Sequence, residues 1–220
     1  MIAAIIQARI GSSRLPGKVL MDIEGKPMLQ RVIERVKESR LTNAVLVATP
    51  DWDIIKFCNS LGVKNYMGSE YDVLSRYLHT AIFYSIDIIV RITADCPLID
   101  PEIIDKTIRY YLNNSFDYVS NTYPDGLDTE VFSITTLRRA QEATKLYDYD
   151  REHVVPYMIR NFKVGKLESG QDFSKYHWSV DTAEDLEFVR WVYRELGENF
   201  HLDDIVKLIK EARNEQKEIS

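Results

Sequence analysis

Three cations, Arg9, Arg14 and Lys18, fall within ten residues of one another, interleaved with Gly11, Ser12, Ser13, Pro16 and Gly17, and no acid precedes Asp22. Such a stretch suits one kind of chemistry. Its glycines let the backbone approach a ligand, its serines and peptide N–H groups donate hydrogen bonds, and its cations neutralise a polyanion such as a nucleoside triphosphate. Arginine can hold phosphate with a fork of donors, whereas lysine acts as a point charge. Two later carboxylates have the complementary character: Asp95 in TADCP and Asp181 in VDTAED. A triphosphate carries about four negative charges, and bare carboxylates beside it would repel it unless a divalent cation such as Mg²⁺ stood between them. Each aspartate also has a plainer reading, Asp95 as a turn residue before Pro97 and Asp181 as part of the capping of a helix at Thr182.

The cationic stretch is not a familiar phosphate motif. Five residues, not four, separate Gly11 from Gly17, and Val19 follows Lys18 where a P-loop needs Ser or Thr for its metal. No G-x-G-x-x-G follows the first apolar run, which argues against a dinucleotide oxidoreductase. A solvated loop turned by Gly and Pro is the bland alternative, made less attractive by three cations and two glycines after a buried strand.

The elements around these residues must hold them in place. Ile2 to Ile6 is an apolar run that reads as a fully buried strand, Ala44 to Thr49 as a second, and Ile86 to Ile92 as a third running into Thr93. Short or extended strands are expected at Asn65 to Met67, Asp117 to Asn121, Glu130 to Ile134, Phe162 to Leu167 and Trp178 to Val180. Between them lie helical patterns. One runs from Met28 to about Ser39; one is capped by Asp51 and ended by Gly62; one is opened by Ser69 and Glu70; and one starts at Asp100-Pro101-Glu102. Further helices are expected from Thr135 to about Lys145, over Arg151 to Arg160, from Thr182 with a capping-box pattern to Asp185, and from about Leu202. This alternation predicts an α/β fold with a mostly parallel central sheet covered on both faces. Ligands in such sheets sit at the carboxyl ends of strands, so the loops after Gln7, Thr49, Thr93 and Val180 are the ones to search.

Composition narrows the partners. The chain has 220 residues with 28 Lys and Arg against 34 Asp and Glu, a net charge of −6, which speaks against a protein built to hold nucleic acid or an anionic membrane. Cys58 and Cys96 lack metal-ligand spacing and read as reduced thiols. No apolar run approaches the ~20 residues of a membrane span. The expectation is a soluble cytoplasmic protein in a single domain, 1–220.

The motifs together resemble a family. R-x-G-S-x-R-x-P-G-K (Arg9 to Lys18), the TADCP turn and V-D-T-A-E-D-L (Val180 to Leu186) are similar to the cytidylyltransferases that activate acidic sugars, the enzymes making CMP-3-deoxy-manno-octulosonate and CMP-sialic acid. GSEYDVLSRY (Gly68 to Tyr77), DGLDTEVF (Asp125 to Phe132) and REHV (Arg151 to Val154) resemble the branch of the spore coat polysaccharide biosynthesis protein F. The resemblance implies a three-layer, Rossmann-like nucleotidyltransferase fold, commonly a homodimer. It implies transfer of CMP from CTP to a small acidic sugar with release of pyrophosphate.

Residue by residue, Arg9, Gly11, Ser12, Ser13, Arg14 and Lys18 match the triphosphate loop, with Arg14 and Lys18 neutralising the leaving pyrophosphate. Asp95 and Asp181 match Mg²⁺ ligands. Gln7, Ala8 and Thr93 border the nucleotide, and Asp72 and Arg76 help to close its base pocket. Ala94 stands where better-known members often carry glycine. Asp128 and Glu130 are candidates for sugar hydroxyls, and Arg151, Glu152 and His153 for facing the sugar acid; loop, strand-start and capping roles are the alternatives. Sugar-binding and dimerisation elements are expected within about 120–180. His79 and His201 read as structural, and His177 has no assigned role. No general base stands out. A nucleotide-sugar-dependent glycosyltransferase and a non-catalytic nucleotide or sugar sensor remain rivals, although Asp95-Cys96-Pro97 lacks the second acid of a D-x-D pair.

Overall fold

A computed structural model describes residues 1–218; the last two residues of the expected domain lie outside it. The chain runs β1 (Ile2–Gln7), a 3-10 turn (Lys18–Leu20), β2 (Asp22–Ile23), β3 (Lys26–Pro27), α1 (Met28–Lys37), β4 (Ala44–Thr49), α2 (Trp52–Ser60), β5 (Lys64–Met67) and α3 (Val73–Phe83). It continues through β6 (Ile88–Thr93), α4 (Pro101–Leu112), β7 (Tyr118–Asn121), β8 (Glu130–Ser133), α5 (Ile134–Gln141), α6 (Asp148–His153), α7 (Pro156–Asn161), β9 (Val164–Leu167), α8 (Ala183–Leu196) and α9 (Leu202–Glu218).

Seven strands form one sheet in the order β5-β4-β1-β6-β8-β7-β9, and β2 and β3 form a small hairpin apart from it. β1 is central and parallel to both neighbours, with Gln7 level with Ala48 on one side and Thr93 on the other. The sheet is mostly parallel, as expected, but β8 enters antiparallel to both β6 and β7. Alternate residues of the apolar strands feed opposite layers: Ala4, Ile6, Val47 and Ile92 pack with α1, α2 and α4, while Ala3, Ile5, Leu46 and Ile89 pack with α3, α5 and α7. A third cluster around Trp178 joins the hairpin to α8 and α9.

Several local expectations hold. Asp100 caps α4 by accepting from Glu102 N–H at 2.8 Å, with Pro101 following at the first helical position. Asp100 also accepts from Leu202 N–H at 2.8 Å and pairs with His201 at 3.1 Å, so His201 is structural and ties α9 to α4.

Others are corrected. Trp178 to Val180 is not a strand, because its N–H groups go to different segments: Trp178 donates to the Asp125 carbonyl at 2.8 Å and Val180 to the Asp95 carbonyl at 2.8 Å. Arg151 to Arg160 is two helices rather than one, broken where buried Val154 takes φ 70° and Pro156 restarts the chain. α5 stops at Gln141, before Lys145. Asp51 precedes α2 without a side-chain cap and spends its carboxylate on the Ile10 N–H at 2.8 Å.

Candidate active site

The cationic loop leaves the carboxyl end of β1 and folds back on itself. The Ile10 carbonyl accepts from Ser12 N–H at 2.9 Å and Gly17 N–H at 3.1 Å, and Gly17 adopts φ 73°, which a side chain would resist. Ser12 Oγ accepts from Leu15 N–H at 3.3 Å. Among the described residues the N–H groups of Gly11, Ser13 and Arg14 have no partner. Ser13 and Arg14 thus present two successive free N–H groups, an arrangement with which a turn can cradle an anion.

Lys18 turns from that loop into the protein, with its side chain 9% exposed. Its ammonium donates to Asp95 Oδ2 at 2.9 Å, to the Val180 carbonyl at 2.6 Å and to Asp181 Oδ1 at 3.1 Å. An ammonium has three donors, and all three are used. Burial works against the Lys18 charge, but Asp95 and Asp181 outweigh it and raise its pKa above the ordinary lysine value. Burial likewise opposes the Asp95 charge, and Lys18 more than offsets it, holding the carboxyl below the usual carboxylate range. Arg14 meets Asp181 Oδ1 at 2.8 Å. Asp181 is placed by the capping box of α8: Thr182 Oγ accepts from Asp185 N–H at 3.2 Å, and Asp185 Oδ2 accepts from the N–H groups of Thr182 at 2.8 Å and Asp181 at 3.0 Å.

A cleft of about 220 Å³ runs from this charge cluster across the ends of β1 and β6. Arg14, Lys18, Asp95 and Asp181 line it, with Gln7, Ala8, Arg9, Gly11, Ser12, Ser13, Arg76, Thr93, Glu152 and His153. Sequence patterns thus find most of the wall. Elsewhere in the lining, Gln7 Oε1 and the Nε atoms of Arg76 and Arg91 are buried and have no partner among the described residues. Arg76 is 2% exposed, and its Nη1 donates to the Ser69 carbonyl at 2.6 Å. Burial lowers its pKa, and the neighbouring charges of Arg9 and Arg91 act in the same direction.

A family model for cytidylyltransferases matches residues 3–219. The chain belongs to that family. This cytidylyltransferase is 34% identical over 215 residues to the spore coat polysaccharide biosynthesis protein SpsF of Bacillus subtilis, covering 90% of this chain and 88% of that one. It is 40% identical over 115 residues to the 3-deoxy-manno-octulosonate cytidylyltransferase of Trichlorobacter lovleyi, covering 51% of this chain and 46% of that enzyme. Its fold superposes on the structure of a cytidylyltransferase from Leptospira borgpetersenii with a TM-score of 0.91 at 34% identity, over 97% of this chain and 95% of that one.

In this cytidylyltransferase the remaining expected residues stand apart from the cleft wall. Asp72 caps α3, accepting from Ser75 N–H at 2.8 Å, and its other oxygen meets Arg151 at 2.8 Å. The pair ties α6 across the cleft mouth, where Glu152 lies 3.8 Å from Arg9. Asp72 and Arg151 therefore fasten the wall and do not line it. Glu130 is not free for sugar hydroxyls: one oxygen is paired with Arg91 and the other accepts from Tyr118 Oη at 2.6 Å. Asp128 accepts from Gly126 N–H at 3.0 Å, and burial pushes its carboxyl up to about 6.

Two residues escaped sequence reasoning. Arg91 lines the cleft but sits in an apolar strand run, where only a lone charge inside IDIIVRI could have flagged it. His177 bridges Asp125 at 2.6 Å and approaches Asp181 at 3.8 Å, a link that neighbouring residues in sequence do not reveal.

Proposed function

We propose that this cytidylyltransferase transfers CMP from CTP to a small acidic sugar, releasing pyrophosphate, with Mg²⁺ held by Asp95 and Asp181. One observation carries the reading: the free N–H groups of the loop and its cations lie in the same cleft as two carboxylates that already share one internal cation. Among the described residues no three His, Cys, Asp or Glu side chains gather into a metal cage. Mg²⁺ needs none, since it is commonly held by one or two carboxylates together with substrate phosphates, and the hard oxygens of Asp95 and Asp181 fit that demand.

Cytosine suits the part of the cleft lined by Gln7 and Arg76. Its exocyclic amino group donates and its N3 and O2 accept, matching the amide and guanidinium chemistry of Gln7 and Arg76 in the lining. The loop N–H groups and Arg14 receive the phosphates, and Lys18 meets them once released from its carboxylates. A hydroxyl of the sugar gives up its proton to solvent as its oxygen forms a bond to the α-phosphorus, the bond from that phosphorus to the bridging oxygen breaks, and pyrophosphate departs along the cationic loop. The side chains contribute position and charge more than covalent chemistry. Bound Mg²⁺ would supply Lewis-acid charge to the phosphate oxygens. Likeness to the family also supports a cytoplasmic homodimer. No helix among the described residues is long and apolar enough to cross a membrane.

The test is pyrophosphate release from CTP and Mg²⁺ with 3-deoxy-manno-octulosonate, sialic acid and related sugar acids. At least one acid should drive release that EDTA abolishes. Tight CTP binding with no release across the panel would reject the reading.

A further inference from the structure

Two segments far apart in sequence are clipped together beside the Asp95–Asp181 cluster. Trp178 N–H donates to the Asp125 carbonyl at 2.8 Å, and Val180 N–H to the Asp95 carbonyl at 2.8 Å. The short run from His177 to Asp181 is thereby held to the Asp125 loop at one end and to the Asp95 turn at the other. Gly126 comes so close to this run that a Cβ would stand 2.5 Å from the Trp178 carbonyl carbon, and the Trp178 side chain is buried. Backbones fastened in this way fix where two half-exposed side chains meet: Asp125 Oδ2 pairs with His177 Nδ1 at 2.6 Å.

The pair adds little to stability, because its side chains are 51% and 48% exposed and an ion pair in that setting contributes little. What it does is aim the ring. With Nδ1 held by Asp125, Nε2 faces Asp181 Oδ2 at 3.8 Å, too far for a hydrogen bond. The Ser179 hydroxyl lies 3.4 Å from Nε2, longer than a well-formed hydrogen bond. Nε2 therefore has room for a closer polar partner, on a ring that solvent and substrate can reach.

The other sides of the cluster are taken. Cytosine goes to the part of the cleft lined by Gln7 and Arg76, and the phosphates go to the loop. Arg14 of that loop meets Asp181 on Oδ1 at 2.8 Å, as Lys18 does at 3.1 Å. Displacement at phosphorus needs the attacking and leaving oxygens roughly in line, so the acceptor enters from a side away from the departing pyrophosphate. His177 meets Asp181 on its other oxygen, at the rim of the cleft.

We propose that His177, oriented by Asp125, binds the attacking hydroxyl of the acceptor sugar through Nε2 and holds it beside Asp181 for attack on the α-phosphorus. The inference rests on the transferase reading above and adds the residue that places the nucleophile. The fit does not depend on which hydrogens the ring carries, because a hydroxyl both donates and accepts. The bonds made and broken are those of the transfer itself, and the hydroxyl proton passes to solvent. Asp125 is a positioning residue.

The test measures pyrophosphate release with 3-deoxy-manno-octulosonate, sialic acid and the other acids of the panel above, CTP affinity by calorimetry, and Mn²⁺ binding by electron paramagnetic resonance. His177→Leu should lower kcat/KM for the acceptor roughly 10- to 100-fold, the loss expected when a hydrogen bond goes and a nucleophile is misplaced. CTP and Mn²⁺ affinities should hold. His177→Gln, whose amide offers both a donor and an acceptor, should recover part of the loss. Asp125→Ala should lower the same ratio by less, and should add little in a His177→Leu background, because it acts only through the ring. The exposure of both side chains lets these variants fold, which circular dichroism checks. An unchanged kcat/KM for the acceptor in His177→Leu overturns the inference while leaving the transferase reading intact. So does a parallel fall in Mn²⁺ affinity, which would place the role of His177 on Asp181, and so do additive losses from the two variants. CTP binding without pyrophosphate release from any sugar acid would reject both.

Discussion

Lys18→Met should make the nucleotide-free protein bind a divalent cation more tightly. In the wild type the Lys18 ammonium occupies the space between Asp95 Oδ2 at 2.9 Å and Asp181 Oδ1 at 3.1 Å, so a metal entering there must first displace it. A hydrogen bond to a charged group contributes about 1.5–3 kcal/mol. Asp95 is 30% exposed, which favours the lower end. Two such contacts come to about 3 kcal/mol, or roughly 100-fold in affinity. Titration of Mn²⁺, with free ion counted by electron paramagnetic resonance, measures this without turnover. The variant should bind Mn²⁺ about two orders of magnitude more tightly than wild type when no nucleotide is present. Adding CTP should narrow the difference, because the triphosphate draws the wild-type lysine away. Equal or weaker Mn²⁺ binding by a variant with unaltered circular dichroism would refute the idea that Lys18 holds the metal's place.

Three more outcomes are expected. Asp95→Ala should abolish pyrophosphate release while circular dichroism shows the fold intact; near-normal turnover would remove Asp95 from the metal site. Gly126→Ala should cost about 1–3 kcal/mol and several degrees of Tm, because at φ 97° its Cβ would stand 2.5 Å from the Trp178 carbonyl carbon, and kcat should fall as Asp181 shifts. Asp128→Asn should stabilise the protein at neutral pH and not in acid. The Asp128 carboxyl titrates at about 6 when folded, above its ordinary value, so its protonated form favours folding and that advantage is lost as pH rises from about 4 through about 6. The shift would correspond to about 3 kcal/mol for a group wholly out of water, but the enclosure that raises the Asp128 carboxyl is partial, much of the residue reaching solvent, and screening reduces this to about 1 kcal/mol. A gain in Tm that is the same at pH 4 and pH 8 would contradict it.

Much of the site was legible because its chemistry is local in sequence. The loop from Arg9 to Lys18 carries its own signature, and Asp95 follows a strand too apolar to mistake. The Thr182–Asp185 capping box fixed the start of α8 and hence the neighbourhood of Asp181. What was not legible depends on distant partners. Glu130 looked available for sugar until Arg91, 39 residues away, claimed it. The antiparallel insertion of β8 has no mark in its four residues. Trp178 to Val180 has the composition of a strand and lacks only a single partner to pair with. The break at Val154 places a β-branched residue where local preference opposes it, so only the surrounding packing can impose it.

The contact between Lys18 and Asp181 spans 163 residues. A ribosome making this chain releases the cationic loop well before its second carboxylate. Until Asp181 emerges, Lys18 and Arg14 are without their shared counter-charge, and a nascent chain exposes a cationic loop able to attract any passing polyanion. Closure of the site therefore waits on the second carboxylate, and a chain cut short before α8 would carry the loop's charge without the means to direct it.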